Sequence, residues 1–458
     1  MVFSSILFLF YFLPATLGLY YLAPVRLKNT VLLVASLFFY CWGEVKYFPL
    51  IVFSILFEYV IVIIMERHKA NRKWQTGLLI FSIIVNLGML GLFKYADFVI
   101  INLNRFLGLS LGTLNLVLPL GISFYTFQKI SYTFDYYMGE TEVEYSLIDF
   151  AAYVVLFPQL IAGPIVRYVE VVRELKHRVL TMEDITEGIR IFILGLGGKV
   201  LIANNVGALW IEMEELGYVN LSTPLAWLGL LGFALQIYFD FSGYSLMAIG
   251  MGKMMGFKFP KNFNYPYISR SFTEFWRRWH MTLGSWIRDY IYFPMGGSRR
   301  SPWRTVFNLF VCWFATGLWH GADWNFILWG LLFFLLISIE KRGLMTILSR
   351  SAILSRVYFF PVMMISWAIF AITDFSEMGI FLSHMFIPTG GISAVYYLRN
   401  YGVSLVIGMV LATPVLEKAF ACITRSGAMQ VVLYGGILLL SVAYLVDATY
   451  NPFLYFRF

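Results

Sequence analysis

Long apolar stretches separated by short polar or basic segments recur along almost the whole chain. A transmembrane helix needs roughly 20 predominantly apolar residues, and the pattern predicts ten to twelve crossings of a bilayer. The candidate stretches lie near residues 3–23, 30–43, 48–65, 77–93, 150–165, 189–210, 225–250, 306–318, 326–339, 357–373, 401–416 and 430–447. The expected fold class is an all-α, polytopic integral membrane protein.

The stretch 98–127 does not fit a simple alternation of crossings and loops. It is apolar, but Gly108, Gly112, Pro119 and Gly121 interrupt it. Glycine and proline punctuate helices, so this stretch is expected to be re-entrant or to form a tilted pair of short helices.

A second irregular place is the polar run Trp319–Asn325, which separates two short apolar runs. The preceding run, 306–318, rises only about 20 Å of a roughly 30 Å hydrocarbon core. The polar run is therefore expected within the depth of the bilayer. Irregular polar backbone at that depth must be buried by protein or line a water-filled cavity, so we predict a cavity around His320.

The composition supports the membrane assignment. Of 458 residues, 60% are hydrophobic and 13% are charged, against about 45–50% and 25% in soluble domains, which excludes a soluble globular enzyme. The three cysteines lie in or beside apolar stretches without metal-ligand spacing, so neither a disulfide nor a metal site is expected. We expect one integral domain over 1–458, with N-terminal helices in 1–115, a catalytic core in 116–340 and C-terminal helices in 341–458.

Charge is distributed unevenly. The net charge is +8, and residues 253–304 carry ten Lys or Arg against two acids, so the rest of the chain sums to zero. This cluster indicates either the positive-inside bias of a cytoplasmic loop or a site for a phosphate-bearing substrate. By the same bias, the basic segments 26–28, 66–73, 167–178 and 341–356 should be cytoplasmic. The acidic loops 140–149 and 212–215 should face outward.

His320 is the sharpest candidate for chemistry. Imidazole is well matched to proton transfer near neutral pH, and ionisable groups inside a membrane are functional by default. Asp323, three residues on, could orient its ring. The alternative is a structural histidine at a helix break.

Two further polar residues stand in aromatic surroundings. His280 lies among Trp276, Arg277, Arg278 and Trp279, a pattern that also fits an interfacial amphipathic helix. Asp240 lies within an apolar stretch and must have a partner, either as counter-ion of an arginine or as the group that orients a histidine.

The run Gly195-Leu196-Gly197-Gly198-Lys199 fails the phosphate-binding loop pattern because Val200 follows the lysine. Small residues for close helix packing explain it better.

Together these residues form a signature that resembles the membrane-bound O-acyltransferase (MBOAT) family. Within it the chain is similar to the bacterial alginate and peptidoglycan O-acetyltransferases and, more distantly, to the D-alanyl transfer proteins. The resemblance rests on GISFYTFQKISYTFDYYMGE (121–140), LFPQLIAGPIVRY (156–168), QIYFDFSGYS (236–245), FKFPKNFNYPY (257–267), EFWRRWHMTLGSWIRDYIYFPMGG (274–297), GLWHGADWNFILWG (317–330) and NPFLYFRF (451–458).

The resemblance implies a membrane fold with a central funnel and catalytic roles for His320 and His280. The sequence reasoning adds supporting or orienting roles for Asp323 and Asp240. The resemblance also implies transfer of an acyl group, favouring acetyl, from a cytoplasmic thioester such as acetyl-coenzyme A, with no permanently bound cofactor and no metal. The acceptor would be a cell-surface polysaccharide such as alginate, reached directly or through a periplasmic partner protein. Lys253, Arg277, Arg278 and Arg288 would hold the donor phosphates.

The expected location is the bacterial cytoplasmic (inner) membrane, with membrane lipids as surroundings and no nucleic acid as partner. Two other function classes stay open, a polysaccharide or lipid transporter and a scaffold subunit of an export complex. A transporter would move substrate without consuming a thioester, and a scaffold would tolerate changes at both histidines.

Overall fold

The computed structural model describes residues 1–161, 163–417 and 426–447. The C-terminal motif at 451–458 and Cys422 lie outside the described residues. Internal packing divides the chain into two compact units, the first formed by 1–192 and 247–260 and the second by 193–246 and 261–458. These limits differ from the expected divisions at 115 and 340, and the single catalytic domain stays a prediction.

Helices account for all the regular structure of the described residues apart from one isolated bridge between Leu221 and Ile392. The first eleven α-helices in chain order are α1 (Leu13–Leu22), α2 (Lys28–Glu44), α3 (Phe48–Arg67), α4 (Arg72–Leu107), α5 (Ile122–Met138), α6 (Leu147–Val155), α7 (Phe157–Leu160), α8 (Tyr168–Lys176), α9 (Met182–Gly197), α10 (Asn204–Leu216) and α11 (Thr223–Met254). The remaining helices are α12 (Phe272–Trp276), α13 (Met281–Ile287), α14 (Pro302–His320), α15 (Trp324–Ile339), α16 (Met345–Leu348), α17 (Ala352–Ala371), α18 (Phe375–Phe386), α19 (Ala394–Leu411) and α20 (Gly427–Asp447).

Seven continuous helical segments of the described chain are long and apolar enough to cross a membrane. They are Val25–Arg67, Arg72–Leu107, Met182–Leu216, Thr223–Met254, Ala352–Ala371, Ala394–Leu411 and Gly427–Asp447. Other apolar stretches that the sequence analysis counted as crossings form shorter helices, such as α6 and α15. The all-α, polytopic fold class is confirmed.

The stretch 98–127 is not a pair of short helices, and its re-entrant alternative stays a prediction. Helix α4 continues to Leu107, and Gly108 ends it with a φ of 65°, a conformation that glycine adopts at little cost. The following segment has no regular secondary structure and folds back along α4, where Asp97 Oδ1 accepts the backbone N–H of Leu114 at 2.6 Å.

The acidic loop 140–149 lies at the same end of the first unit as two basic segments. The expectation that this loop and those basic segments face opposite sides of the membrane is therefore wrong. Lys176 Nζ lies 2.6 Å from Glu144 Oε2 and 3.2 Å from Asp149 Oδ2. The Asn29 side-chain amide also donates to Asp149 at 2.7 Å. Helix α6 has nine residues, a rise of only about 14 Å, so the chain returns without crossing.

A buried polar network ties three helices of the first unit together. Glu58 on α3 is fully buried and accepts hydrogen bonds from Ser82 and Asn86 on α4, each at 2.6 Å, and from Thr133 on α5. A buried carboxylate without such donors would be strongly destabilising. The sequence analysis, which treated the N-terminal helices by hydropathy alone, missed this network.

Candidate active site

His320 ends α14, the first arm of a tight helical hairpin completed by α15. Glycines let the two arms approach closely: a Cβ built on Gly317 would lie 2.5 Å from the carbonyl oxygen of Phe326, and one on Gly330 would lie 2.5 Å from that of Trp313. Such small-residue contacts are typical of helix packing in membranes. The expected polar turn lies at 321–323, between α14 and α15. Helix α14 has 19 residues and is longer than the apolar run 306–318 from which the turn was predicted.

Aromatic rings surround the His320 imidazole, which is 6% exposed. The ring centroids of Trp329 and Phe370 lie 4.9 Å and 5.4 Å from it, both nearly perpendicular. The indole Nε1 of Trp329 is buried and has no hydrogen-bond partner within the described part of the chain. His320 thus lies in buried, apolar surroundings beside a tryptophan whose N–H has no partner among the described residues, and electrostatic interactions there are stronger than in water.

Asp323 caps α15 instead of bonding to His320. Its Oδ1 accepts the backbone N–H of Trp324 at 2.6 Å. N-capping is the ordinary use of aspartate at this position. The orienting role expected for Asp323 stays a prediction that this cap does not support.

His280 lies at the N-cap of α13, outside the membrane-spanning helices, with φ 43° and ψ 54°. This left-handed conformation is uncommon for a residue other than glycine. The side chain is 1% exposed, and its Nδ1 lies 3.1 Å from Asn262 Oδ1. Burial lowers the pKa of the His280 imidazole to about 3, so the ring is neutral.

Trp319 brings the two histidines of the motifs together within the second unit. Its ring centroid lies 5.6 Å from that of His280 and 5.0 Å from that of His320. Phe241 on α11 also packs against His280, with the two ring centroids 4.7 Å apart. Residues far apart in the sequence therefore share one aromatic cluster.

Glu340 anchors the segment that leads to His280. Its carboxylate is fully buried and accepts the backbone N–H groups of Phe272 and Thr273 at 2.7 Å and 2.8 Å, as well as the hydroxyls of Thr273 and Tyr358. A carboxylate at a helix N-terminus is stabilising. Glu340 thereby joins the end of α15 to the start of α12.

The partner that Asp240 requires is Lys199. Their side chains form a 2.6 Å ion pair, and both are almost completely buried. Lys199 Nζ also donates to Asn204 Oδ1 at 2.7 Å. Gly243 lets α11 approach the glycine run before Lys199 closely, because a Cβ on Gly243 would lie 2.6 Å from the carbonyl oxygen of Gly195. The packing role of the run itself stays a prediction. Asp240 is thus a counter-ion, but of a lysine.

The four basic residues expected to hold the donor have different surroundings. Lys253 belongs to the first unit and is ion-paired to Glu187 at 2.5 Å. In the second unit Arg278 pairs with Glu274 at 3.0 Å, and Arg288 pairs with Asp289 at 2.8 Å.

The fourth basic residue, Arg277, is exposed and lies close to the ammonium of Lys341. Burial and then the nearby Arg277 guanidinium lower the pKa of the Lys341 ammonium. Two adjacent positive charges form a place where an anion would bind favourably.

Sequence reasoning missed Asn262, Glu340 and the pairing of Lys199. Asn262 lies within one of the recognised motifs, and Glu340 is an acid at the end of a long apolar run. Both signals were present, but nothing in the linear sequence says which side chain each would meet. Among the described residues, no group of three or more His, Cys, Asp or Glu could hold a metal ion.

Comparison with known proteins agrees with these motifs. The model of the MBOAT, membrane-bound O-acyltransferase family, matches residues 140–384, which include both histidines. The probable alginate O-acetylase of Pseudomonas aeruginosa is 45% identical over 379 residues, covering 81% of this chain and 72% of the relative.

Two other bacterial relatives are more distant. The peptidoglycan O-acetyltransferase of Helicobacter pylori is 38% identical over 379 residues, covering 74% of this chain and 70% of the relative. The teichoic acid D-alanyltransferase of Bacillus subtilis is 29% identical over 229 residues, covering 47% of this chain and 57% of the relative.

Proposed function

The chain belongs to the membrane-bound O-acyltransferase family, and on that premise we propose that it transfers acetyl groups from acetyl-coenzyme A toward hydroxyls of alginate or a closely similar exopolysaccharide. It is a multi-pass O-acyltransferase of the bacterial cytoplasmic (inner) membrane. The acceptor is proposed because relatives that are 40–45% identical to this chain are named alginate O-acetylases. A periplasmic partner protein completes the transfer if the polysaccharide does not reach the site itself.

The observation that carries the catalytic assignment is the shared contact of two motif histidines with Trp319. In the proposed mechanism His320 takes the proton from the acceptor hydroxyl as its oxygen attacks the thioester carbonyl. The C–S bond then breaks, and the leaving thiolate recovers the proton. The oxyanion needs a donor, and the buried N–H of Trp329 beside His320 supports the presence of one.

Donor binding is proposed at the cationic face formed by Arg277 and Lys341. Coenzyme A is polyanionic, and the Arg277 guanidinium, which contributes to the lowered pKa of Lys341, is a second positive charge near that ammonium, so a phosphate would bind favourably between them. Arg278 and Arg288 lie on the same basic segment but already have carboxylate partners. The sequence-based role of Lys253 rests on charge alone.

The test compares wild-type protein with His320→Ala, using thioester consumption and ester-linked acetate on surface polysaccharide as readouts. Loss of a general base typically costs a factor of about 10²–10⁴, so acetate should fall below detection while the protein remains folded in the membrane. His68→Ala is the matched control, because His68 is exposed, stacks on Trp74 and lies 2.9 Å through its Nδ1 from the carbonyl oxygen of Ile64 on its own helix. Unchanged acetate in His320→Ala cells would refute the assignment, and a transport defect without thioester consumption would indicate a transporter.

A further inference from the structure

The hydrogen bonds around Asn262 determine how the His280 ring is protonated. Asn262 Oδ1 receives the backbone N–H of Thr282 at 3.3 Å and the Thr282 hydroxyl at 2.9 Å. A backbone N–H can only donate, so the side-chain atom that faces it must be the amide oxygen and not the nitrogen. The same oxygen lies 3.1 Å from His280 Nδ1. Since that oxygen cannot donate, Nδ1 must carry the hydrogen.

This arrangement leaves the other ring nitrogen as a base. In a neutral imidazole with a hydrogen on Nδ1, Nε2 holds a lone pair. His280 Nε2 is buried and has no hydrogen-bond partner within the described ranges. A buried acceptor without a partner is costly, so the lone pair of Nε2 points to a ligand that donates a hydrogen bond to it.

The backbone holds His280 in place at a further cost. A non-glycine residue in the left-handed region stores on the order of 1–3 kcal/mol of strain. The backbone of Asn262 opposes this strain, because its carbonyl oxygen accepts the N–H of Met281 at 2.9 Å. Asn262 therefore fixes both the position of His280 and the tautomer of its ring.

We propose that Asn262 is a positioning residue that locks His280 in the Nδ1–H tautomer, so that Nε2 accepts a hydrogen bond from the acceptor hydroxyl. This inference rests on the proposed function and refines it. A neutral His280 in this tautomer orients the attacking hydroxyl and cannot donate to the oxyanion from Nε2. The oxyanion donor must then be another group, such as the indole N–H of Trp329.

The charged and titratable groups of the elements packed against His280 are few. The loop of Asn262 carries Lys261, which donates to Asn264 at 3.1 Å. Helix α11 carries Tyr238 and the Asp240 carboxylate that is ion-paired to Lys199, and α14 carries His320. A carboxylate at position 262 would be the charge in direct contact with the ring.

Asn262→Asp is the informative variant because it keeps the acceptor oxygen and adds a negative charge. The carboxylate would raise the pKa of His280 by roughly 1–3 units. The pH at which the His280 imidazole titrates should therefore rise by that amount, while activity at alkaline pH, where both histidines are neutral, is retained. Asn262→Leu should lose activity at every pH, with a larger rise in KM for acceptor than for donor. Asn264→Asp, in the same loop, should leave the titration of His280 and the activity unchanged.

The kinetic assay uses purified protein in detergent with acetyl-coenzyme A and an alginate oligosaccharide. A second measurement does not depend on activity: ¹⁵N–¹H correlation spectra of protein labelled only at its five histidines, with His280 assigned by the signal lost in His280→Gln. In the wild type we expect a neutral His280 that carries its hydrogen on Nδ1. In Asn262→Asp we expect the imidazolium form of His280 to persist to a higher pH than in the wild type. An Nε2–H tautomer in the wild type, or an unshifted titration of His280 in a folded Asn262→Asp protein, would overturn the inference. Correct spectra without any wild-type acetyl transfer would instead refute the proposed function.

Discussion

Replacing Gly317 by alanine should slow acyl transfer without unfolding the protein. The added Cβ would lie 2.5 Å from the Phe326 carbonyl oxygen, whereas real Cβ atoms essentially never come within 3.0 Å of such an atom. Helices α14 and α15 must therefore separate by at least the 0.5 Å difference between these distances. Overpacking of this kind costs about 1–3 kcal/mol.

The displacement matters because His320 lies less than one turn beyond Gly317 on the same helix. A misplacement of about 1 Å can cost about 10²-fold in rate, so half that shift is expected to lower kcat roughly tenfold. The assay measures thioester consumption in detergent, together with the Tm of each variant.

Gly379→Ala is the matched control, since a Cβ on Gly379 in α18 meets nothing within 4 Å. Alanine should stabilise that helix by up to about 1 kcal/mol and leave kcat unchanged. Gly317→Ala with a wild-type kcat would refute the view that the spacing of the hairpin positions His320.

Three further predictions follow from particular contacts. Asp240→Asn should lower the free energy of unfolding by about 3–5 kcal/mol, measured by denaturant titration, whereas Lys199→Met combined with Asp240→Leu should cost much less; equal losses would contradict the buried ion pair. Asp323→Ala should cost about 0.5–2 kcal/mol as a lost helix cap with little change in kcat, and a collapse of kcat would indicate instead that it orients His320. Arg277→Gln should raise the KM for acetyl-coenzyme A roughly tenfold, the effect of losing about 1.4 kcal/mol of a charge-assisted contact, and an unchanged KM would remove this residue from the donor site.

The sequence determined the fold class and the family through local signals. Apolar stretches of membrane-spanning length report burial in lipid wherever they occur, because each residue contributes independently to hydropathy. The motifs around His280 and His320 indicated the family, which the comparisons confirm. The sequence also indicated that Asp240 has a partner, because an unpaired carboxylate in an apolar helix is strongly unfavourable.

The tertiary structure decided which side chains meet. The partner of Asp240 is Lys199 because α11 packs against the glycine run before that lysine. The acidic loop lies beside Lys176 because α6 is too short to cross. Asn262 meets His280 only through the fold of the loop around it. Hydropathy and spacing depend on neighbours in the chain, whereas hydrogen bonds and ion pairs depend on neighbours in space, and only packing selects those.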